Sequence, residues 1–205
     1  MDADRAGLVG TVESVSVYPV KSLAGRSVAE ARVEAGGLVG DRAWTVVDAT
    51  TGERVTVKSM PAMAQVVPTG DGEAETIALG HPLNALLGPP VRLQRTGAPQ
   101  VDAAAVHLVS RGAIDAAALG EVPAGCSAED PRANLLLALD PVLAADERSW
   151  VGRTLRIGTV TLAVTRTPRH CLGVYAEVVE PGTVAAGDGV RLEVPAPGEP
   201  APDRP

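Results

Sequence analysis

Aromatic residues are scarce: the 205-residue chain holds two tryptophans, two tyrosines and no phenylalanine. Tyr18, Trp44, Trp150 and Tyr175 are too few to make a platform on which successive bases stack. Positive charge is short as well. A net charge of -7 excludes the basic footprint of general nucleic-acid binding. No run approaches the ~18 uninterrupted apolar residues of a membrane-spanning helix. The opening MDADRAGLVG lacks the basic-then-apolar pattern of a signal peptide, so a cytoplasmic protein is expected. The two cysteines, Cys126 and Cys171, cannot staple a disulfide scaffold, and a cytosol would keep them reduced. There is no paired Cys-x-x-Cys or His-x-x-x-His for structural zinc and no G-x-S-x-G nucleophile elbow. The segment GGLVGD lacks the G-x-G start and following helix of a dinucleotide loop and reads as a turn.

What is present is the stuff of one ordinary soluble domain, or two small ones: 45% hydrophobic and 21% charged residues. The dominant hydrophobic period is two. TVESVSVYPV and SVAEARVEAGG alternate as half-buried strands. AWTVVDATTGERVTV reads as a hairpin around a Thr-Gly turn, with Lys58 following the second strand. VRLQRTG is a short strand, and LRIGTVTLAVTR is two strands punctuated by one glycine. LGVYAEVVEPGTVAAGDGVRLEV holds two strands joined at Pro-Gly, with a second turn at GDG. Helix signals are fewer: SRGAIDAAALG, with a serine to cap it and a glycine to stop it, and a short HPLNALLG. The expected class is mostly β (α+β), a barrel with one or two short helices. A soft boundary near TGAPQVDA divides residues 1–97 from 98–194, and the Pro-rich residues 195–205 should be unstructured.

Basic and polar residues collect at strand ends. Of eighteen basic residues only Lys21 and Lys58 are lysines. Asp41 and Arg42 follow a turn, Ser110 and Arg111 open the helix just after His107, Arg132 and Asn134 precede an apolar strand, and Arg169, His170 and Cys171 end another. Gathered by folding, such cations would form one anion pocket, with arginine binding phosphate through paired hydrogen bonds and lysine as a point charge. Cationic neighbours would favour the thiolate of Cys171. Each residue also has a plainer reading. The lysines serve as solvated loop charges, Asp41-Arg42 as an Asx turn with a surface arginine, Ser110 as a helix cap, and His107 as a satisfied core histidine. Cys126 is assigned no role.

In order along the chain, YPVKSLAG, GLVGDRAWTVVD-x-x-TG, T-x-K-x-x-P-x-M, HLVS, RANLLL, WVGRTLRIG and VYAEVVEPGTVAAGD resemble the MOSC family, domains similar to the C-terminal part of molybdenum cofactor sulfurase and including amidoxime-reducing proteins. The resemblance covers residues 9–194. It implies an N-terminal β-barrel segment (1–97) and a MOSC core (98–194) built around the molybdenum cofactor, a pterin-bound metal. Lys21, Arg42 and Lys58 would then hold the phosphate and pterin edge. Ser110, Arg132, Asn134 and Arg169 would contact the cofactor, and Cys171 would be the thiolate ligand to molybdenum, a soft donor for a soft site. Pyridoxal phosphate binding is a further expectation from the resemblance. The implied activity is reduction of an N-oxygenated small molecule, with cations stabilising charge that develops on the departing oxygen. Electrons would come from an external donor protein, since the chain carries no haem or iron–sulfur motif. No nucleic acid or membrane is expected as partner. Two other readings stand beside this one: a carrier of cofactor or sulfur without turnover, and an enzyme on the same scaffold that has lost molybdenum. The chain departs from the family pattern in two places. His170 separates Arg169 from Cys171, and the twenty or so residues usual between the cysteine and LGVYAEV are missing, which implies a more open pocket.

Overall fold

The structure, a computed structural model, describes residues 7–69, 78–79, 90–97, 104–126, 131–142 and 146–193. The expected helix HPLNALLG and the Pro-rich tail lie outside them. In chain order the strands are β1 (Leu8–Val17), β2 (Arg26–Val28), β3 (Glu30–Glu34), β4 (Gly37–Leu38), β5 (Trp44–Asp48), β6 (Arg54–Val55), β7 (Pro68–Thr69), β8 (Ala78–Leu79) and β9 (Val91–Arg95). There follow β10 (Val106–Ser110), helix α1 (Arg111–Ala118), β11 (Leu135–Leu139), β12 (Thr154–Ile157), β13 (Val160–Arg166), β14 (Val174–Glu180), β15 (Gly182–Ala185) and β16 (Gly189–Leu192). The chain forms two compact units, one of residues 1–15, 28–37 and 103–205, the other of residues 16–27 and 38–102. Among the described residues no helix is long and apolar enough to cross a membrane.

The first unit is a seven-stranded barrel in the order β11-β10-β14-β13-β12-β16-β1, closed by pairing of β1 with β11. The mostly β, barrel class read from the sequence is the observed one. Its inner face is aliphatic: Val12, Val15, Leu108, Leu135, Leu137, Leu155, Ile157, Leu162, Val174 and Val190 are almost wholly buried. Each such side chain contributes about 1.5–3 kcal/mol by leaving water. Val12 and Val15 are three apart, a spacing that sends side chains to opposite faces of a straight strand. A break in register between Val12 and Ser14 lets both point inward. The barrel's parallel pair is β10–β11. Parallel neighbours need a crossover rather than a tight turn, and α1 supplies it. Ser110 caps that helix as expected, its hydroxyl accepting from the Ala113 amide at 3.0 Å.

One local expectation changes here. Pro181-Gly182 does not fold β14 onto β15; β14 pairs with β10 and β13, while β15 pairs with β3. The proline redirects the chain to a different sheet. LRIGTVTLAVTR forms the two expected strands, β12 and β13, and they pair with each other around Gly158.

The second unit is built on the antiparallel sheet β6-β5-β9, with β7 paired to β8. Val20, Leu23, Val46, Met63, Val66 and Val91 form its core. The Thr-Gly hairpin is present: β5 pairs with β6, and Asp48 Oδ1 accepts from the Thr50 and Thr51 amides at 2.7 and 2.8 Å. Its second strand is shorter than the alternation implies. The Thr56 carbonyl accepts from the Ser59 and Met60 amides, so the chain turns and Lys58 lies exposed on a turn, not at a strand end.

Candidate functional site

In the barrel unit the site grows from His107 on β10. Its amide donates to Asn134 Oδ1 at 3.1 Å, its carbonyl accepts from the Asn134 amide at 2.8 Å, and its Nε2 donates to the Leu172 carbonyl at 2.8 Å. Since a carbonyl only accepts, that contact fixes the proton on Nε2. His107 is thus a satisfied, buried histidine, and it holds two segments on one strand: 132–134 before β11 and 167–173 before β14. Asn134, itself 2% exposed, acts in this clamp.

The second segment carries the thiol. Gly173 has φ +83, and a Cβ there would meet the Leu108 carbonyl oxygen at 2.0 Å. Only glycine lets the loop drop this far onto β10. From that seat the strand register lines up three side chains: His107 opposite Tyr175, and Tyr175 opposite Arg166. The His107 and Tyr175 rings lie 4.7 Å apart at 53°, and the Arg166 guanidinium lies 5.9 Å from the Tyr175 ring centre. The Tyr175 hydroxyl is 3.9 Å from Cys171 Sγ. Residues 166–171 and Tyr175 line a cleft of about 480 Å³. Arg169 and His170 are exposed at it and Cys171 is half-buried.

Ser110 and Arg132 belong to the same unit. The Ser110 hydroxyl is occupied as the helix cap, and its amide donates to the buried Glu147 carboxylate at 3.1 Å. Arg132 has φ +54, a left-handed backbone that non-glycine residues seldom adopt. Lys21, Arg42 and Lys58 belong to the other unit. There the segment Tyr18–Lys21 runs beside Arg42–Trp44. The Arg42 amide donates to the Tyr18 carbonyl at 2.7 Å and the Lys21 amide to the Trp44 carbonyl at 2.8 Å. Arg42 is not a surface arginine. It is 4% exposed, paired with the buried Asp41 carboxylate and seated 5.0 Å from the Tyr18 ring centre. Asp41 also accepts from the Tyr18 amide at 2.8 Å. Among the described residues three non-glycines have positive φ, and all fall at candidate positions or beside one: Ser22 next to Lys21, Arg42 and Arg132.

Sequence reasoning passed over Tyr175, Arg166 and Glu147. The first two read as ordinary strand residues, although the scarcity of aromatics and the position of Tyr175 four residues after Cys171 were signals. Among the described residues no three histidine, cysteine or carboxylate side chains gather as metal ligands.

The profile of the MOSC N-terminal beta barrel domain matches residues 9–119, more than half of the chain. The chain belongs to the MOSC family. Relatives of this MOSC protein include the molybdenum cofactor sulfurase of Pyricularia oryzae, 34% identical over 83 residues (39% of this chain, 9% of that protein). The mitochondrial amidoxime-reducing component 1 of Homo sapiens is 35% identical over 94 residues (44% of this chain, 27% of that protein). A bifunctional enzyme IspD/IspF of Anaeromyxobacter dehalogenans is 32% identical over 137 residues (63% of this chain, 35% of that protein). The chain therefore spans about a third or less of each relative's own length.

Proposed function

We propose that this MOSC protein is an oxidoreductase that binds the molybdenum cofactor and reduces N-oxygenated small molecules such as amidoximes and N-hydroxylated bases. The observation that carries the reading is the half-buried Cys171 thiol in the cleft, with Arg166 and Arg169 beside it and the Tyr175 hydroxyl 3.9 Å from its sulfur. The donor chemistry fits the group. A thiolate is a soft ligand for a soft metal, and a pterin-bound metal brings further ligands of its own.

When bound, the cofactor supplies two-electron reduction at its metal. The chain's residues do the rest. Cys171 would hold the metal as thiolate. Arg166 and Arg169 present fixed positive charge toward oxygen that gains negative charge. The Tyr175 hydroxyl hydrogen-bonds the sulfur and holds a proton at Oη. Its ring is kept in place by His107, which also fixes the loop through the Leu172 carbonyl. Electrons arrive from an external donor protein. For the second unit we propose an anion-binding role for Lys21 and Lys58, with Arg42, buried against Asp41, holding the Tyr18–Lys21 segment in place. The left-handed backbone at Ser22 and Arg42 supports this for the Lys21 and Arg42 segments, because such conformations persist only where the surrounding structure over-determines them and they cluster at functional sites. Ser110, Arg132 and Asn134 complete the proposed set in the barrel unit, Asn134 by placing His107.

The test is elemental and pterin analysis of protein purified from a host that makes the cofactor, with reduction of benzamidoxime by a reduced dye as the activity. Near-stoichiometric molybdenum that falls at least tenfold in Cys171→Ser supports the reading. Folded wild-type protein without molybdenum or pterin overturns it. Retention of pyridoxal phosphate under those conditions would favour a MOSC-scaffold enzyme that has lost molybdenum. A second reading, a carrier without turnover, draws on the name of the Pyricularia oryzae relative. It predicts sulfur loading that Cys171→Ser abolishes and no reductase activity to lose.

A further inference from the structure

Cys126 sits against the segment that carries Cys171. Its Sγ donates to the Cys171 carbonyl at 3.1 Å, and one residue earlier the Gly125 carbonyl accepts from His170 Nδ1 at 3.4 Å. The two pairs hold 125–126 and 170–171 side by side. Cys126 is also partly buried in an apolar cluster that includes Leu172, the residue after Cys171. Covalent geometry then places the Cys126 sulfur within about 5.5 Å of the Cys171 Cα, near enough for the two side chains to approach disulfide geometry. Arg148 Nη1 lies 3.8 Å from the Cys126 sulfur.

We propose that Cys126 and Cys171 form a reversible intramolecular disulfide in which Cys171 is the peroxide-reactive thiol and Cys126 the resolving one. Cys171 opens to the cleft, where a small hydroperoxide reaches it. Its sulfur attacks the O–O bond. An S–O bond forms, the O–O bond breaks, the thiol proton leaves with the departing oxygen as water or alcohol, and Cys171 becomes a sulfenic acid. The Cys126 sulfur then displaces that hydroxyl. The S–S bond forms, the S–O bond breaks, and the Cys126 proton leaves with the hydroxyl as water. Two thiols have lost two electrons and two protons to one peroxide. Arg148 places a fixed positive charge beside the sulfur that attacks in the second step. A dithiol reductant reverses the bond by thiol–disulfide exchange. The disulfide occupies the sulfur assigned above to the metal, so oxidation and metal binding exclude each other; the thiol chemistry itself does not rest on that assignment.

The full chain, reduced, desalted and free of metal, is treated with one to two equivalents of hydrogen peroxide and digested with trypsin without reduction. The expected product joins residues 112–132 to 170–191, with both thiols lost together and both restored by dithiothreitol. In Cys126→Ser the reaction should stop at a sulfenic acid on Cys171 that dimedone traps. In Cys171→Ser, Cys126 should stay reduced under the same dose. Arg148→Gln should slow closure several-fold without changing the first step. Circular dichroism checks that the variants are folded, and the wild-type peptide map stands without them. The proposal fails if wild-type Cys171 accumulates as sulfenic or sulfinic acid while Cys126 remains a free thiol. It fails equally if the cross-linked peptide comes only from covalent dimers.

Discussion

Asn134 and His107 hold each other at both ends: the His107 amide donates to Asn134 Oδ1, and the Asn134 amide donates to the His107 carbonyl. The pair joins the start of β11 to β10 just before their parallel ladder begins at Leu108 and Leu135. It also sets the histidine ring that supports Tyr175 and the cysteine loop.

Asn134→Ala removes a buried acceptor and leaves the His107 amide without it. A buried group deprived of its partner costs about 1–3 kcal/mol. Urea unfolding should show a loss in that range with an unchanged m-value. Equal stability of Asn134→Ala and wild type would remove the clamp from the account.

Gly173→Ala should be more damaging than an ordinary surface change. The left-handed φ penalises any side chain, and the new Cβ falls on the Leu108 carbonyl. Backbone must move, so the loss should exceed about 2 kcal/mol. The displaced loop should also lower whatever ligand retention Cys171 provides. Thermal unfolding together with metal content reads both. A neutral Gly173→Ala would mean the loop does not depend on this close approach.

How much of this was legible in the sequence depends on how local the cause is. The Ser110 cap, the Thr-Gly hairpin and the Gly158 hairpin are set by neighbours within a few residues, and each is readable. The barrel class follows from period-two runs. The break that turns both Val12 and Val15 inward is not readable from alternation alone, because it depends on β11 across the ladder. Nor does any spacing reveal that Asn134 meets His107, or that Arg166, Tyr175 and His107 share one row. Those are registers between strands distant in sequence. Arg42 shows the same limit: its neighbour Asp41 is adjacent, but the Tyr18 backbone and ring that bury the pair lie over twenty residues earlier.

Ser110 does two jobs that separate by substitution. Ser110→Ala removes the oxygen that accepts from Ala113 and should cost about 1 kcal/mol, whereas Ser110→Gly at a cap should cost only a few tenths. The amide that donates to Glu147 survives in both. If the hydroxyl also serves a bound ligand, as proposed, both variants lower ligand retention alike while differing in stability. Parallel unfolding and retention measurements distinguish the two roles.

Glu13 on β1 and Arg111 at the start of α1 give the barrel unit a pH dependence. Arg111 Nε donates to Oε2 at 3.0 Å and to Oε1 at 3.2 Å, and Nη2 also pairs with Oε1. These hydrogen bonds hold the Glu13 carboxyl below its usual value of 4.5 against a smaller opposing push from burial. A carboxyl whose folded pKa is depressed contributes stability above its unfolded pKa and loses it as pH falls through the folded one. Both side chains are more than a third exposed, at 43% and 35%. Solvent screening therefore limits the pair to about 0.2–1 kcal/mol. The pair also offsets the placement of a cation at the positive end of a helix. Glu13→Gln should be less stable than wild type by that amount at neutral pH, and the gap should close as pH falls below 4.5 and through the lowered folded value. High salt at pH 7 should narrow it too. Urea titrations at pH 7, 5 and 3 measure the gap. A difference that persists undiminished at pH 3 would assign the loss to packing of the glutamate stem rather than to its charge.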